Sequence, residues 1–492
     1  MKKQLIFFFF FFSFTALVSS SYFSPTDHYL VSCGSRDPTI VDFDHRRFTG
    51  DASKSAASQF LTAPSPGRSI ELVDPNPAPN SSPLYRTARA FTKPSRYAFA
   101  IQETGVHHLV RLHFHRFTNS SVLESSTPQF HVLANGFLLL NNFSLGNEKK
   151  DVVVKEFILR VDSDKLEITF VPAERSNFYA FVNAIEVISS PKDLITDLAQ
   201  FVNSERNERI DGMLKSSFET LYRVNVGGPK VTPFNDSLWR TWVSDDSYLE
   251  KSGENGATTL GDVIRSSGRI QYQAGGASRE VGPDNVYNSA RVIKSLNDSV
   301  PKSNITWVFP GINESGSKYL VRLHFCDIAS IGPFSLYFNV YVNGNLAYEN
   351  LDLTLITNSL LASPFYADFV IDGSSSSSGS LTVSVGPSNF SLPHAVDALL
   401  NGVEVFKMSS SFGSFQGEMC AESVMRSWRR GNVGVVLPLL AAVFLLLTAS
   451  VIVQRKRCGV AGDTIGWSRL PVDVSEVNLK HPGLQSTTAG KL

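Results

Sequence analysis

Four histidines lie close together and are the first candidates for chemistry: His107, His108, His113 and His115. On a strand, His113 and His115 share one face, which is a usable geometry for a metal ion. No acidic third ligand has the right spacing, and Cys326 replaces His115 in the second copy of the motif described below. We therefore predict hydrogen-bonded structural histidines, with neither a metal site nor a cofactor.

Two adjacent carboxylates, Asp245 and Asp246, are the next candidates. Neighbouring residues of a strand point to opposite faces, whereas glycoside hydrolysis needs two carboxyl groups across a cleft, roughly 5–9.5 Å apart. The pattern favours a hydrogen-bonding role in a loop. A wall-acting glycosidase is kept as a further, weaker alternative.

Short catalytic motifs are missing from the sequence. It has no Gly-x-Gly-x-x-Gly, Walker loop or Gly-x-Ser-x-Gly, and neither the His-Arg-Asp nor the Asp-Phe-Gly string of protein kinases. Basic and acidic residues number 45 each, and no Lys/Arg-rich run is interleaved with aromatic residues. As written, the chain is predicted to be neither an enzyme nor a nucleic-acid-binding protein.

Five aromatic residues lie in or beside a long loop region in the second half of the chain. Exposed aromatic residues at the rim of a sheet domain can stack on sugar rings or anchor a peptide, although packing in the core is the alternative for each of them. The candidate ligand-binding residues are Trp239, Trp242, Tyr248, Tyr272 and Tyr287.

One hexapeptide positions several of these residues, because Leu-Val-Arg-Leu-His-Phe occurs twice, at 109–114 and 320–325. Within each copy, every second residue is apolar throughout, which is the period of a strand packed on a second sheet. Each copy leads to an Asn-Gly pair, Asn135-Gly136 and Asn343-Gly344, which predicts a type I′ hairpin. The chain is therefore an internal duplication of one β module.

Strand after strand with polar turns predicts an antiparallel β-sandwich or jelly roll in each copy. We place the first repeat at 22–190 and the second repeat at 218–408. Apolar spacing at Leu194, Leu198 and Phe201 predicts a short helical linker over 191–217. A Ser/Gly-rich stalk is expected at 409–431.

Both ends of the chain carry membrane-related signals. Two lysines, an apolar block and small residues predict a cleaved signal peptide over 1–21. The uncharged segment 432–454 is long enough for a single transmembrane helix. The signal peptide places the N-terminus outside the cell, so 455–492 is expected to be a short, disordered cytosolic tail. Cys458, beside a basic cluster, is a palmitoylation candidate or an inert thiol.

Asn-x-Ser/Thr triplets agree with this topology, because none lies beyond the membrane segment. Three cysteines, Cys33, Cys326 and Cys420, precede that segment, so at least one is unpaired within the chain, and their pairing stays open. The predicted glycosylation sites are Asn80, Asn119, Asn142, Asn235, Asn297, Asn304, Asn313 and Asn389.

Six strings span nearly the whole predicted ectodomain and are specific in combination. They are Tyr-Leu-Val-Ser-Cys-Gly-Ser at 29–35, the hexapeptide at 109–114, Phe-Val-Asn-Ala-Ile-Glu-Val at 181–187, Tyr-Arg-Val-Asn-Val-Gly-Gly-Pro at 222–229, Tyr-Leu-Val-Arg-Leu-His-Phe-Cys-Asp-Ile at 319–328 and Leu-Thr-Val-Ser-Val-Gly-Pro at 381–387. Taken together, they resemble those of the plant malectin-like receptor kinases of the Feronia and Theseus type.

The resemblance implies two tandem malectin-like β-sandwich domains at the plasma membrane. It implies binding of a secreted peptide of the rapid-alkalinisation type, together with a lipid-anchored co-receptor, and association with cell-wall pectin. Family members also carry an intracellular serine/threonine kinase, of which this sequence has no motif. Two readings stay open: a receptor-like protein that signals through a full-length receptor kinase, or a truncated product or gene model of such a kinase.

Overall fold

The structure is a computed structural model that describes residues 23–41, 44–53, 69–77, 79, 81–115, 127–145, 152–173, 177–205, 207–251, 259–295, 299–312, 314–373 and 379–458. The predicted signal peptide and most of the predicted tail lie outside these residues. The chain up to Arg429 forms one structural body and the chain from Arg430 a second.

The first repeat is built from strands separated by turns and one 3₁₀ turn at Pro83–Tyr85. Its strands are β1 (His28–Ser32), β2 (Thr39–Ile40), β3 (Arg47–Gly50), β4 (Ser69–Val73), β5 (Thr87–Phe91), β6 (Ser95–Ala100), β7 (Val106–Phe114), β8 (Thr127–Pro128), β9 (Phe130–Ala134), β10 (Phe137–Phe143), β11 (Val153–Val161), β12 (Lys165–Pro172), β13 (Phe178–Val182) and β14 (Ala184–Ser189).

The linker and the second repeat continue the same order of strands. The linker contains β15 (Ala199–Val202), β16 (Asn207–Ile210) and a 3₁₀ turn at Met213–Lys215. The second repeat contains β17 (Phe218–Asn225), a 3₁₀ turn at Pro233–Asn235, β18 (Val243–Ser244), β19 (Asp262–Arg265), α1 (Asp284–Tyr287), β20 (Ser289–Lys294), β21 (Ile305–Pro310), β22 (Lys318–Phe325), β23 (Phe338–Val342), β24 (Asn345–Leu351), α2 (Leu353–Ile356), β25 (Phe365–Asp372), β26 (Ser380–Pro387), β27 (Val396–Leu400) and β28 (Gly402–Met408).

One large sheet runs through both repeats. Among the described residues its strand order is β16-β15-β25-β22-β28-β17-β11-β7-β14-β1-β3-β2, with β18 beside β17. Smaller sheets, β10-β9-β12-β6 and β4-β5-β13-β8 in the first repeat, β21-β26-β23-β24 and β19-β20-β27 in the second, supply the opposing layer of each core. The predicted tandem β-sandwich is confirmed.

The duplicated hexapeptide occupies the same place in both repeats, on β7 and β22. Its alternate residues Val110, Leu112 and Phe114 lie in the core of the first repeat. Their counterparts in β22 lie in the core of the second repeat. The intervening arginine and histidine lie on the other face of the large sheet. Both predicted hairpins form, with positive φ at the Asn and Gly of each turn.

The prediction of a helical linker is wrong. Residues 199–202 instead form β15, which pairs in parallel with β25, and β16 pairs with β15. Leu194 and Phe201 are buried under the large sheet, while Leu198 is exposed. The edge of β25 offers backbone partners to residues 200 and 201, and this tertiary pairing overrides a local pattern of only three apolar residues.

The predicted stalk is also folded differently. Its first half returns to the first repeat, where Phe415 is buried in the core and Leu138 exchanges backbone hydrogen bonds with Gly413 and Phe415. Helix α3 (Ala421–Cys458) begins in the segment assigned to the stalk. Its first turns pack against β9, β10 and β12 through Ala421, Val424, Met425 and Trp428.

Helix α3 also contains the membrane-spanning candidate. Among the described helices it alone is long and apolar enough to cross a membrane, with Leu439–Lys456 as its most apolar window. This agrees with the segment 432–454 that the sequence predicts. Cys458 is its last residue, and the surroundings of that side chain lie outside the described part of the chain.

Candidate functional site

A cleft opens where the two repeats meet in the large sheet. Strands β11 and β17 are joined by two residue pairs only, Phe157 with Glu219 and Ile158 with Phe218, and then diverge. The space between them has a volume of about 740 Å³. We call it the junction cleft, and its walls include Tyr85, Val152, Val154, Tyr222, Lys230, Pro233, Trp239, Val243 and Tyr248.

The floor of the junction cleft is a chain of buried ion pairs that crosses from one repeat to the other. Arg111 Nε lies 2.5 Å from Glu156 Oε2, and Arg223 Nη2 lies 2.7 Å from Glu156 Oε1. Arg223 Nε continues to Glu404 at 2.6 Å, and Arg111 Nη1 reaches Glu186 at 2.8 Å. Each charge therefore has a partner, which a buried charge requires.

These contacts keep the carboxylates ionised. Burial alone would raise the pKa of Glu156, but Arg223 and Arg111 outweigh it and lower that pKa to about 2. The pKa values of Glu186 and Glu404 are lowered against the same effect of burial, chiefly by Arg111 and Arg223 respectively. None of these carboxylates is poised to exchange a proton near neutral pH.

A chain of hydrogen bonds from Tyr85 through His113 to Glu186 lies at one wall. Because Glu186 can only accept, His113 Nε2 donates to it at 2.9 Å, and Nδ1 accepts from the Tyr85 hydroxyl at 3.0 Å. Burial raises the pKa of Tyr85 far above its ordinary value, so the phenol stays protonated. The chain therefore holds the wall in place and offers no activated nucleophile.

The second repeat contains the same chain of hydrogen bonds at its equivalent place. The Tyr287 hydroxyl lies 3.1 Å from His324 Nδ1, and His324 Nε2 lies 3.2 Å from Glu404 Oε2. Tyr287 and His324 are fully buried there, whereas Tyr85 and His113 line the junction cleft.

The five predicted aromatic residues divide into three groups. Trp239 and Tyr248 line the junction cleft, and the ring of Trp239 stacks on that of His28 with the ring centroids 4.6 Å apart. Trp242 and Tyr287 are 0% exposed, so the prediction of exposed rim residues does not hold for these two. Tyr272 is half-buried, donates to Asp284 and does not line the cleft.

The side chains of His107, His108 and His113 are hydrogen-bonded, as predicted for structural histidines. His107 Nε2 donates to the Ser216 carbonyl at 3.1 Å and His108 Nε2 to Asp27 at 3.1 Å. Burial lowers the pKa of His107 to about 4. His115 follows the end of β7 and lies near the ring of Tyr85. The described residues contain no group of ligands that could hold a metal ion.

The two adjacent aspartates lie in the turn that follows β18 and have different environments. Asp245 is buried and accepts from the Gly227 amide, Arg291 and Trp307, while Asp246 is exposed and accepts from Arg291 and the Ser244 hydroxyl. This is the loop hydrogen-bonding role that the sequence favours.

The remaining candidate sites lie away from the cleft or at its edge. Cys33 and Cys326 are buried free thiols, and Cys420 is a half-buried free thiol. Of the predicted glycosylation sites, Asn142, Asn235 and Asn389 are exposed and Asn304 is half-buried. The others lie outside the described residues: Asn80, Asn119, Asn297 and Asn313.

Several residues of the cleft are absent from the sequence prediction: Tyr85, Arg111, Glu156, Glu186 and Arg223. A signal for part of this set is present, because the matched strings repeat an arginine, a histidine and a glutamate in both copies at otherwise apolar strand positions. Glu156, Tyr85 and Arg223 do not belong to this repeated set, so the comparison of the two copies does not indicate them.

Comparison with known families gives one match to most of the chain. The family described as "Malectin-like domain" matches residues 31–408. Among curated proteins of Arabidopsis thaliana, the receptor-like protein kinase THESEUS 1 is 36% identical over 424 residues, which are 86% of this chain and 47% of that protein. Receptor-like protein kinase FERONIA is 32% identical over 419 residues, 82% of this chain and 45% of that protein. The chain spans about half the length of these relatives.

Solved structures give the same result. The ANX1 ectodomain from Arabidopsis thaliana has a TM-score of 0.67 and 29% identity, covering 79% of this chain and 97% of that one. A FER chain solved in complex with the plant peptide RALF23 and LLG2 has a TM-score of 0.65 and 31% identity, covering 80% of this chain and 98% of that one.

Proposed function

The chain belongs to the malectin-like family, and from that premise we propose that it is the extracellular, ligand-binding part of a single-pass plasma-membrane receptor. The observation that carries this proposal is its match to 98% of the FER chain crystallised with RALF23 and LLG2. We propose a secreted peptide of the alkalinisation type as the ligand, with a lipid-anchored co-receptor.

The junction cleft supports a binding role over a catalytic one. Its polar floor is already satisfied by internal ion pairs, and the Tyr85 phenol stays protonated, so the carboxylates and the phenol that line the described part of the cleft are not activated for catalysis. Its walls instead present Trp239, Tyr222 and Tyr248, which offer large contact areas at low entropic cost. We propose Trp239 and Tyr248 as ligand contacts.

We also propose the orientation of the chain in the membrane and the bounds of its two repeats. The repeats at 22–190 and 218–408 face the outside of the cell, and the apolar part of α3 anchors them. The exposed Asn142, Asn235 and Asn389 are proposed glycan carriers, together with Asn304 and the four sites outside the described residues. Palmitoylation of Cys458 and association with pectin are also part of the proposal.

Calorimetry on the full chain in lipid nanodiscs tests the proposed binding of the peptide. Titrants are an alkalinisation-type peptide, with and without the soluble co-receptor, and pectin fragments. We expect heat with the peptide, and weakening of about tenfold by Trp239→Ala. The matched control is Phe390→Ala, which removes an exposed aromatic ring that does not line the cleft. No heat with the peptide would remove the peptide claim, and heat with pectin alone would reassign the ligand to a polysaccharide.

A second candidate function is kinase signalling, because the relatives are receptor-like protein kinases of about twice this length. The kinase would be supplied by a full-length partner or by a longer product of the same gene. Sequencing the transcript beyond the codon for Leu492 separates these two. An in-frame Gly-rich loop followed by a His-Arg-Asp string would assign the kinase to this gene.

A further inference from the structure

The ladder of the large sheet is interrupted at the junction cleft. Strand β17 pairs with β28 along one edge. Along its other edge it pairs with β11 at Phe218 and Glu219 and with β18 at Val224 and Asn225. Between these pairs, residues 220–223 have no strand partner on this second edge in the part of the chain that the structure describes. Residues 153–156 of β11 face the same gap and also lack one on that side.

The open edge of β17 points into the cleft. Successive residues of a strand alternate between the two faces of a sheet, so a pocket on one face is lined by every second residue. Four consecutive residues of β17, at 220–223, line the junction cleft, and the ladder has a register shift between Thr220 and Tyr222. Both faces of the strand are represented among them, because Thr220 and Arg223 bond Glu156, whereas Leu221 and Tyr222 pack against the core of the second repeat. The cleft therefore runs along the edge itself, where backbone N–H and C=O groups project.

The opposite wall is apolar and β-branched. Val152 and Val154 are 37% and 45% exposed, and both line the junction cleft. Lys230 is exposed at the rim, and among the charged residues that line the cleft it is the one for which the described chain shows no ion-pair partner.

We propose that the junction cleft binds an extended stretch of a polypeptide ligand as an added β-strand. The stretch pairs its backbone with residues 220–223 of β17, packs an apolar side chain against Val152 and Val154, and places an acidic side chain beside Lys230. Main-chain hydrogen bonds supply affinity in this mode, and alternate side chains supply specificity. The inference rests on the proposed receptor function and specifies how that site reads its ligand.

A displayed library of random linear 12-residue peptides, selected on the full chain in nanodiscs, tests this without the natural ligand. The binding peptide is then resynthesised with one N-methylated residue at a time. N-methylation removes a backbone donor, so a strand loses binding at every second position over a run of about four residues. We expect losses of about tenfold or more at those positions and little at the others.

Two substitutions locate the site on the protein. Val154→Lys and Lys230→Glu should each weaken the selected peptide about tenfold, while the matched controls Val73→Lys and Lys93→Glu should not. Val73 is also an exposed valine at the end of an edge strand, and Lys93 is an exposed lysine in a turn, so the controls report any general effect on folding.

The outcomes separate this inference from the proposed function. Selection of no peptide, or N-methyl losses without a period of two, would overturn strand addition even if the alkalinisation-type peptide binds. Binding that Val154→Lys leaves unchanged would overturn the location. A period of two with loss in both cleft variants supports the inference even if the alkalinisation-type peptide gives no heat.

Discussion

The first and second repeats place the same polar side chains on the same face of the large sheet and cover them differently. Arg111 of the first repeat donates to the backbone carbonyl of Leu238, which lies in a loop of the second repeat. Arg322 of the second repeat donates to the backbone carbonyl of Leu194, which lies in the linker. The cover of the first repeat is a loop of the second repeat, and it leaves the junction cleft. The cover of the second repeat is the linker with the loop before α1, and Tyr287 and His324 are completely enclosed.

The duplicated strands therefore determine which polar side chains are present, whereas the segments that cover them, which differ between the repeats, determine which copy is accessible to solvent. Each repeat is also covered in part by the segment of chain that follows the other repeat, which we call the exchange of segments. The chain that follows the first repeat covers β24 and β25 of the second, and the chain that follows the second repeat covers β10 of the first. Each repeat is therefore completed by residues outside its own boundaries.

The largest expected effect comes from Arg223, which joins the repeats. Arg223→Met leaves Glu156 and Glu404 each without one partner in a buried site, so we expect a loss of about 3–5 kcal/mol in the free energy of unfolding, measured by chemical denaturation. The control is Arg96→Met, which breaks an exposed pair with Glu167 and should cost less than about 1 kcal/mol. Equal effects of the two changes would contradict the buried junction.

The exchange of segments predicts that the first repeat depends on residues beyond Met408. Phe415→Ala removes a ring that is buried against Phe157 in the first core, and should cost about 3–4 kcal/mol in thermal or chemical unfolding. Phe412→Ala is the matched control, because Phe412 is 60% exposed in the same segment and should change stability by about 0.5 kcal/mol or less. If Phe415→Ala were as mild as its control, a free stalk would be the better description.

Acid should act on the first repeat through His107, whose counterpart in the hexapeptide alignment is Lys318. Burial holds the pKa of His107 at about 4, below its ordinary 6.5, so the folded state binds the proton less well. The free energy of unfolding is therefore unaffected by His107 well above pH 6.5, and it falls as the pH is lowered from 6.5 towards 4, because the unfolded chain takes up the proton first. We expect a loss of about 1.5 kcal/mol between pH 6.5 and 5, and a flatter profile for His107→Gln. Identical profiles would show that His107 does not titrate this way.

The smallest effects distinguish the two tyrosine–histidine–glutamate chains. Tyr287→Phe removes a hydroxyl from a closed site and leaves His324 Nδ1 unsatisfied, which should cost about 1–2 kcal/mol of unfolding free energy. Tyr85→Phe removes its counterpart beside the cleft, where water can replace the hydroxyl, and should cost about 0.5 kcal/mol or less. A larger loss for Tyr85→Phe would reverse the assignment of the open and closed copies.

The sequence predicts the repeated parts of this molecule well. The hexapeptides, the two Asn-Gly hairpins and the apolar segment near the C-terminus are local patterns. The structure has matching strands, hairpins and a helix long and apolar enough to cross a membrane at these places. The resemblance of the strings also gave the family. The hydrogen-bonding role in a loop that the sequence favours for Asp245 and Asp246 also agrees with their contacts in the turn after β18.

The candidate site could be predicted only in part, because it forms between segments that are distant in the chain. No local pattern indicates that Glu156 of β11 meets Arg223 of β17, or that residues 199–202 become a strand through pairing with β25. Trp242 and Tyr287 occur in polar loop sequences, yet a buried aspartate and a buried histidine provide their polar partners inside the core. Burial of an aromatic residue depends on such partners, and the sequence does not show them.

Hydrogen exchange with mass spectrometry tests the central claim most directly, on the full chain in nanodiscs with and without the alkalinisation-type peptide and its co-receptor. The account predicts slower exchange at 152–156, 220–223 and 230–243 around the junction cleft, and unchanged exchange at 272–287 over the enclosed copy in the second repeat. Protection at 272–287 with no change around the cleft would contradict it.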